Sequence, residues 1–331
     1  MVLPRGFSTS GAGSDRAYPE AVPPASPSGA RGFGPGLGFA VSSYALWGVL
    51  PLYFLLLAPT GPFEVVALRI VLSLAFCALL LTVLRGWRAF WSLARQPRVL
   101  AIMAIAGVLI YINWQVYVYA TLNGHVVEGA MGYFINPIVT VVLGVVFLRE
   151  RLRIAQWIAV GISGVAILVI AIGYGAFPWI ALTLAFSFGL YGYIKKRVGA
   201  QVDAVSGMTM ETALLLPVAI VILVIVGATG GIVTGTAGTP HLILTLLAGA
   251  ITATPLLLFA AAARRLPLVY IGLTQYLAPV LQFIVGVVIL HEEMPLERWI
   301  GFALVWVALI VLTVDMLASG RVQRRASLEP A

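Results

Sequence analysis

Ten apolar segments follow one another along this chain, each near the ~20 residues needed to cross a hydrocarbon layer as a helix. They lie at about 37–57, 64–84, 99–120, 125–148, 154–172, 178–194, 206–227, 241–262, 267–290 and 297–318. Inside lipid every backbone N–H and C=O must find a partner within the structure, and for segments this long the helix is the solution. Composition agrees: 61% of the 331 residues are hydrophobic and 10% charged, where a soluble domain carries about 25% charged residues. The expected class is therefore an all-α integral membrane protein with ten transmembrane helices. Residues 1–36, rich in Gly, Pro, Ser and Ala with Arg5, Arg16 and Arg31, read as a disordered N-terminal tail. They lack the apolar stretch of a secretory signal. Residues 319–331 read as a basic C-terminal tail. The sixth segment is short and ends in Lys195-Lys196-Arg197. The one cysteine, Cys77, sits in an apolar run.

The basic residues orient the chain. With a cytoplasmic N-terminus, the inner connections and tails collect eighteen of the 20 Lys and Arg; Arg298 falls outside and Arg69 within a span. Such a bias places both termini in the cytoplasm and requires an even number of spans. The net charge of +8 is thus an orientation signal, and no nucleic-acid partner is expected.

The halves resemble each other. Shifting the chain by 142 residues pairs 137–168 with 279–310 at ten of 32 identical positions, among them Pro137/Pro279, Gly144/Gly286, Glu150/Glu292 and Trp157/Trp299. Each half holds five spans, so the second copy enters from the opposite side. The expected organisation is a first five-helix repeat over 37–172 and an inverted second repeat over 178–318, a plan typical of secondary transporters.

Polar residues concentrate in the stretch from Tyr111 to Glu150, which reads as two spans joined at Asn123-Gly124 and broken at Asn136-Pro137. Ionisable and amide groups at membrane depth face a cavity or each other. Asn113 and Tyr117 share a helix face, as do Tyr133 and Asn136, and Gln275 and Gln282. With Trp47, Tyr111, Trp114 and Tyr276 they form the candidate substrate site; singly, each amide or phenol reads first as glue between helices, while as a set on the third, fourth and ninth spans they favour a cavity. Glu128, on one face with His125, is the candidate proton carrier; the competing reading has both hydrogen-bonding the turn at the membrane surface. Arg69 needs a partner, for which Glu211 (its counterpart under the 142-residue shift) and Glu128 are the candidates. It either holds an anionic substrate group or locks two helices. Pro137 and Pro279 are matched candidate hinges. Trp87, Trp91, Trp179 and Trp299, near span ends, read as interface anchors, and Asp315 as solvated.

Several blocks carry a resemblance: Trp47-Gly48-Val49-Leu50-Pro51-Leu52-Tyr53-Phe54, Glu64 with Arg69, Ile112-Asn113-Trp114, Asn123 to Glu128, Gly132 to Pro137, Pro178-Trp179 and Gln275 to Pro279. Together they resemble the EamA branch of the drug/metabolite transporter superfamily, and within it the RarD, or chloramphenicol-sensitive protein, subfamily. The resemblance covers roughly 38–318 and implies a multi-pass inner-membrane permease. The Gly/Thr-rich loop 228–239 departs from the family pattern. No Gly-Lys-Ser/Thr phosphate loop, metal-ligand cluster or G-x-S-x-G motif is present, so no cofactor or metal is expected. The expected function is a secondary transporter (permease) of a small organic solute, drug or metabolite, working by alternating access, with export and proton coupling suggested by family analogy. The competing classes are an integral-membrane enzyme acting on a lipid-linked substrate and an auxiliary subunit.

Overall fold

The computed structural model describes all residues except 1–28, 149–151, 174–176, 199–200, 264, 267–269, 271–273 and 327–331. The described residues form helices and turns with no strand among them. In order these are α1 (Gly29–Leu55), α2 (Pro62–Val83), α3 (Trp87–Ala94), α4 (Pro97–Leu122), α5 (Val126–Leu148), α6 (Ile154–Gly173), α7 (Trp179–Val198), α8 (Ala204–Thr229), α9 (Thr239–Leu246), α10 (Ala248–Ala263), α11 (Leu277–Ile284) continuing into a π-helical turn (Val285–Ile289), and α12 (Leu296–Ala326). Eight helical stretches are long and apolar enough to cross a membrane; α9 and α10 together make one of them. The remaining two expected spans correspond to α7, which carries the lysines, and to the shorter apolar helix Leu277–Ile289.

Local chemistry sets the helix starts. Pro62 and Pro97 occupy first-turn positions, where the missing N–H costs nothing. Asp203 caps α8, its Oδ1 accepting from the amides of Val205 and Ser206 at 3.0 Å each. Gly124, at φ +70°, makes the reversal between α4 and α5.

Several boundaries differ from those expected. The helices α1 and α12 run beyond the apolar segments, so 29–36 and 319–326 are helical where tails were expected; a helix once started extends one hydrogen bond per residue without needing an apolar surface. The helix α5 passes through Asn136-Pro137 unbroken. One turn on, Thr140 Oγ1 donates to the Asn136 carbonyl and side chain. Pro279 falls in the first turn of α11 and so begins a helix rather than bending one; the irregular stretch is the π turn that follows. The segment 85–98 contains the short amphipathic helix α3, with Trp87 stacked on Trp91 and Phe90 turned into the core. Arg149, Glu150 and Arg151 lie outside the described residues, as do Arg5, Arg16 and Arg264.

Two apolar cores organise the bundle. One joins residues of α1, α2, α4, α7, α8 and α10; the other joins α5, α6, α7, α11 and α12. The main helix pairings are α2 with α8, α6 with α12, α5 with α7 and α11, α4 with α7 and α8, and α1 and α2 with α10, with α1 also packed on α11. At the α2–α10 crossing a Cβ on Gly249 would run into the backbone of Leu72, so only glycine permits that approach.

Candidate functional site

Phe54, near the end of α1, meets the Tyr117 ring near the end of α4 at 6.1 Å, which puts those two ends together. Three carboxylates stitch this end of the bundle. Glu128 Oε1 accepts from the amides of Ile180 (3.1 Å) and Ala181 (3.4 Å), in the first turn of α7. Glu292 accepts from the amides of Val126 (2.6 Å) and Val127 (2.9 Å), in the first turn of α5. Glu64 accepts from the amides of Val233 (3.1 Å) and Thr234 (2.9 Å) in the loop before α9. The first turn of a helix leaves its amides without intrahelical partners and carries a partial positive charge. Two of these glutamates therefore act as N-caps supplied from distant parts of the chain. Beside them His241 Nε2 bridges Thr60 Oγ1 (2.9 Å) and the Leu57 carbonyl (3.0 Å). A recess of about 30 Å³ lies next to Glu128, between Phe177, Phe302 and Arg298; that is room for about one water.

The opposite end is held by charge pairs. Lys195 Nζ lies 2.7 Å from Glu211 Oε1, whose other oxygen accepts from the Tyr191 hydroxyl at 3.2 Å. Arg153 lies 3.0 Å from Asp315. Asp315 is thus paired where the sequence read as solvated, because α6 and α12 pack side by side and bring the two charges together.

Between these ends lies Arg69, only 4% exposed. It sits about 10 Å along α2 from Pro62, at the 1.5 Å rise of a helix. Neither expected carboxylate reaches it: Glu211 is spent on Lys195 and Glu128 on the start of α7. Its Nε donates to Thr252 Oγ1 at 2.8 Å. The guanidinium lies over the Trp114 ring, 4.2 Å from its centre, and 5.4 Å from that of Phe54. Its Nη1 has no hydrogen-bond partner. A lone central arginine costs about 2.5–3.5 kcal/mol on insertion scales. A desolvated cation–π contact returns about 2 kcal/mol, which offsets most of that cost. Thr252 carried no signal in the sequence, being one hydroxyl in an apolar run.

The other candidate residues divide into bonded and unbonded groups. Asn113 is buried and engaged at both ends of its amide. It donates to the Leu184 carbonyl (3.2 Å) and Ser187 Oγ (3.1 Å), and accepts from the Tyr133 hydroxyl (2.9 Å). It stitches α4 to α7 and α5. Gln282 Nε2 donates to the Trp47 carbonyl at 3.0 Å, tying α11 to α1, while its Oε1 is unmatched. The Trp47 ring packs against Tyr44 and Phe259. Tyr111 packs on the first core and Tyr276 on the second; Gln275 is half-buried beside Tyr276. The buried hydroxyl of Tyr117 has no partner, nor do the Gln115 amide, Ser73 Oγ and His125 Nδ1. The structure thus gathers Arg69, Trp114, Tyr117, Tyr133 and Asn113 into one cluster. Glu128, His125 and Glu292 belong to the stitched end, and Glu211 to the opposite one.

A multi-helix membrane bundle with a polar cluster between two differently fastened ends has the build of a membrane transporter. The chain belongs to the EamA-like transporter family, whose model matches residues 34–172. It is 47% identical to Protein RarD of Streptomyces exfoliatus over 89% of this chain and 93% of that relative. It is 38% identical to the uncharacterized transporter YojE of Bacillus subtilis (85% of this chain, 94% of the relative). It is 37% identical to Protein RarD of Escherichia coli K12 (88% and 97%). A solved crystal structure shares the fold at a TM-score of 0.56 and 19% identity, over 84% of this chain and 97% of that one. The chain is accordingly a multi-pass membrane protein, and the transporter names of its relatives suggest a transporter rather than an enzyme.

Proposed function

We propose that the chain is a secondary transporter of a small organic solute, working by alternating access between two inverted five-helix halves in the inner membrane, both termini being cytoplasmic. The observation that carries this reading is the exchange symmetry of the helix pairings. The 142-residue shift equates α1 with α7, α2 with α8, α4 with α9–α10, α5 with α11 and α6 with α12. Under it the pairs α2–α8, α5–α11 and α6–α12 map onto themselves. The pair α4–α7 exchanges with α10–α1, α5–α7 with α11–α1, and α4–α8 with α10–α2, and all of these are among the observed contacts. At one site a near-equivalent contact occurs with the roles exchanged: Asn113 donates to the Leu184 carbonyl of α7, and at its counterpart position the Pro255 carbonyl accepts from Ser43 Oγ of α1 at 2.7 Å. Such symmetry supports two states of similar energy, in which the bundle opens at one end and closes at the other. The carboxylate-stitched end is the closed one, and the charge bias of the loops makes it the outer end.

Transport is tested with the full chain in proteoliposomes, following metabolites that accumulate in cells lacking the gene. Flux above protein-free vesicles is expected; no flux of any such metabolite overturns the reading. Comparing flux with and without an imposed pH gradient decides whether protons are coupled, and equal rates remove the proton role from Glu128.

A further inference from the structure

We propose that the Arg69–Trp114–Tyr117 cluster binds the carboxylate of a small organic anion, so that the solute carries a single negative charge. The inference rests on the transporter reading above and adds the class of solute. Arg69 is buried, and the ion pairs among the described residues, Arg153–Asp315 and Lys195–Glu211, do not include it. The nearby acidic side chains are engaged elsewhere: Glu64 on the loop before α9, Glu128 on α7 and Glu211 on Lys195. A helix lock built on arginine would hold a carboxylate of the protein; this one holds a threonine hydroxyl and two aromatic rings.

The groups left over define what fits. With Nε bonded to Thr252, the unmatched Nη1 is the donor left to receive a ligand, and a carboxylate oxygen is the acceptor that makes the strongest bond with a charged N–H. The Trp114 ring covers one face of the guanidinium, so the ligand approaches in its plane. The unmatched Tyr117 hydroxyl is a second donor on the same aromatic wall, its ring against Phe54, over which Arg69 also lies. The titratable side chains facing Arg69 are the phenols Tyr53, Tyr117 and Tyr133. The cluster therefore supplies one positive charge. A monoanion neutralises it, whereas a phosphate monoester would bring a second negative charge into a medium that penalises it. Phe54, Trp114 and Tyr117 suit an apolar body behind the carboxylate.

The test uses purified full-length protein and matched probes: benzoate, phenylacetate, hexanoate and indole-3-acetate, each beside its neutral amide. Ligand that binds the folded state raises Tm. At least one carboxylate is expected to stabilise the wild-type chain while its amide does not. Arg69→Gln should abolish that response, Arg69→Lys should keep part of it, and Tyr117→Phe should weaken the affinity about tenfold. If Arg69→Gln fails to fold, Tyr117→Phe and Thr252→Val carry the test. Equal response to acid and amide, no response to any carboxylate, or an unchanged response in Arg69→Gln or in both substitute variants overturns the proposal. The stabilising carboxylate is then followed across proteoliposomes. Binding without flux overturns the transporter reading and leaves the site; flux indifferent to Arg69→Gln overturns the site and leaves the reading.

Discussion

Glu128 fixes two amides with one oxygen, and that arithmetic separates its possible duties. A glutamine keeps a carbonyl that can still accept from Ile180 and Ala181; an alanine leaves both amides without a partner. Glu128→Gln should therefore stay close to wild type in Tm, while Glu128→Ala should lose about 1–3 kcal/mol, the cost of buried polar groups left unmatched, read by chemical denaturation in detergent. If Glu128 also carries a proton, the glutamine variant will lose pH-driven flux while keeping its fold. Arg69 was legible in the sequence as a charge at membrane depth, and Asn113, Tyr117 and Trp114 as candidate site residues; that they gather around Arg69 was not. The carboxylates expected to meet it are committed to backbone amides or to a lysine, and amide partners leave no mark in a pattern of side chains. Thr252, 183 residues from Arg69, is indistinguishable in sequence from any hydroxyl in an apolar run.

At the scale of elements, the long spans followed from length and apolarity alone, since hydrocarbon thickness sets both. What escaped was shorter than that ruler. The eighth expected span is two helices meeting at Leu247, the ninth ends in a π turn, and α3 lies in what read as a basic connection. These depend on packing, as at Gly249, whose missing side chain lets α10 reach the backbone of α2. Gly249→Ala should push those helices apart and cost about 1–3 kcal/mol, as overpacking does, measurable as a lower Tm. A deeper loss would show that the crossing has no room to adjust, and no loss would show that α2 and α10 separate freely. The helix α3 presents Trp87 and Trp91 beside Arg85, Arg88 and Arg95, a composition that favours the lipid headgroup region.

For the whole molecule, alternating access requires the stitched end to open. A Cβ on Gly286 would lie 2.6 Å from Val127 Cγ2, so cysteines placed at both positions come within disulfide reach. The one native cysteine, Cys77, is buried and is replaced by serine for this test. Oxidised Val127→Cys/Gly286→Cys protein should transport at background rate and recover on reduction; unimpaired flux in the cross-linked chain would mean that this end does not part. The expected organisation into halves rests on matched Pro, Gly, Glu and Trp in the sequence. The helix pairings between the halves were not legible there, because a repeat says which segments are equivalent and not which of them touch.

The remote caps also order the making of the protein. Val126 is synthesised 166 residues before the Glu292 that completes its helix, and Ile180 must wait only on the earlier Glu128. A nascent chain interrupted after α7 thus holds one helix start finished and another bare. Until the ninth span is threaded, the first turn of α5 keeps two amides that no carboxylate has yet claimed.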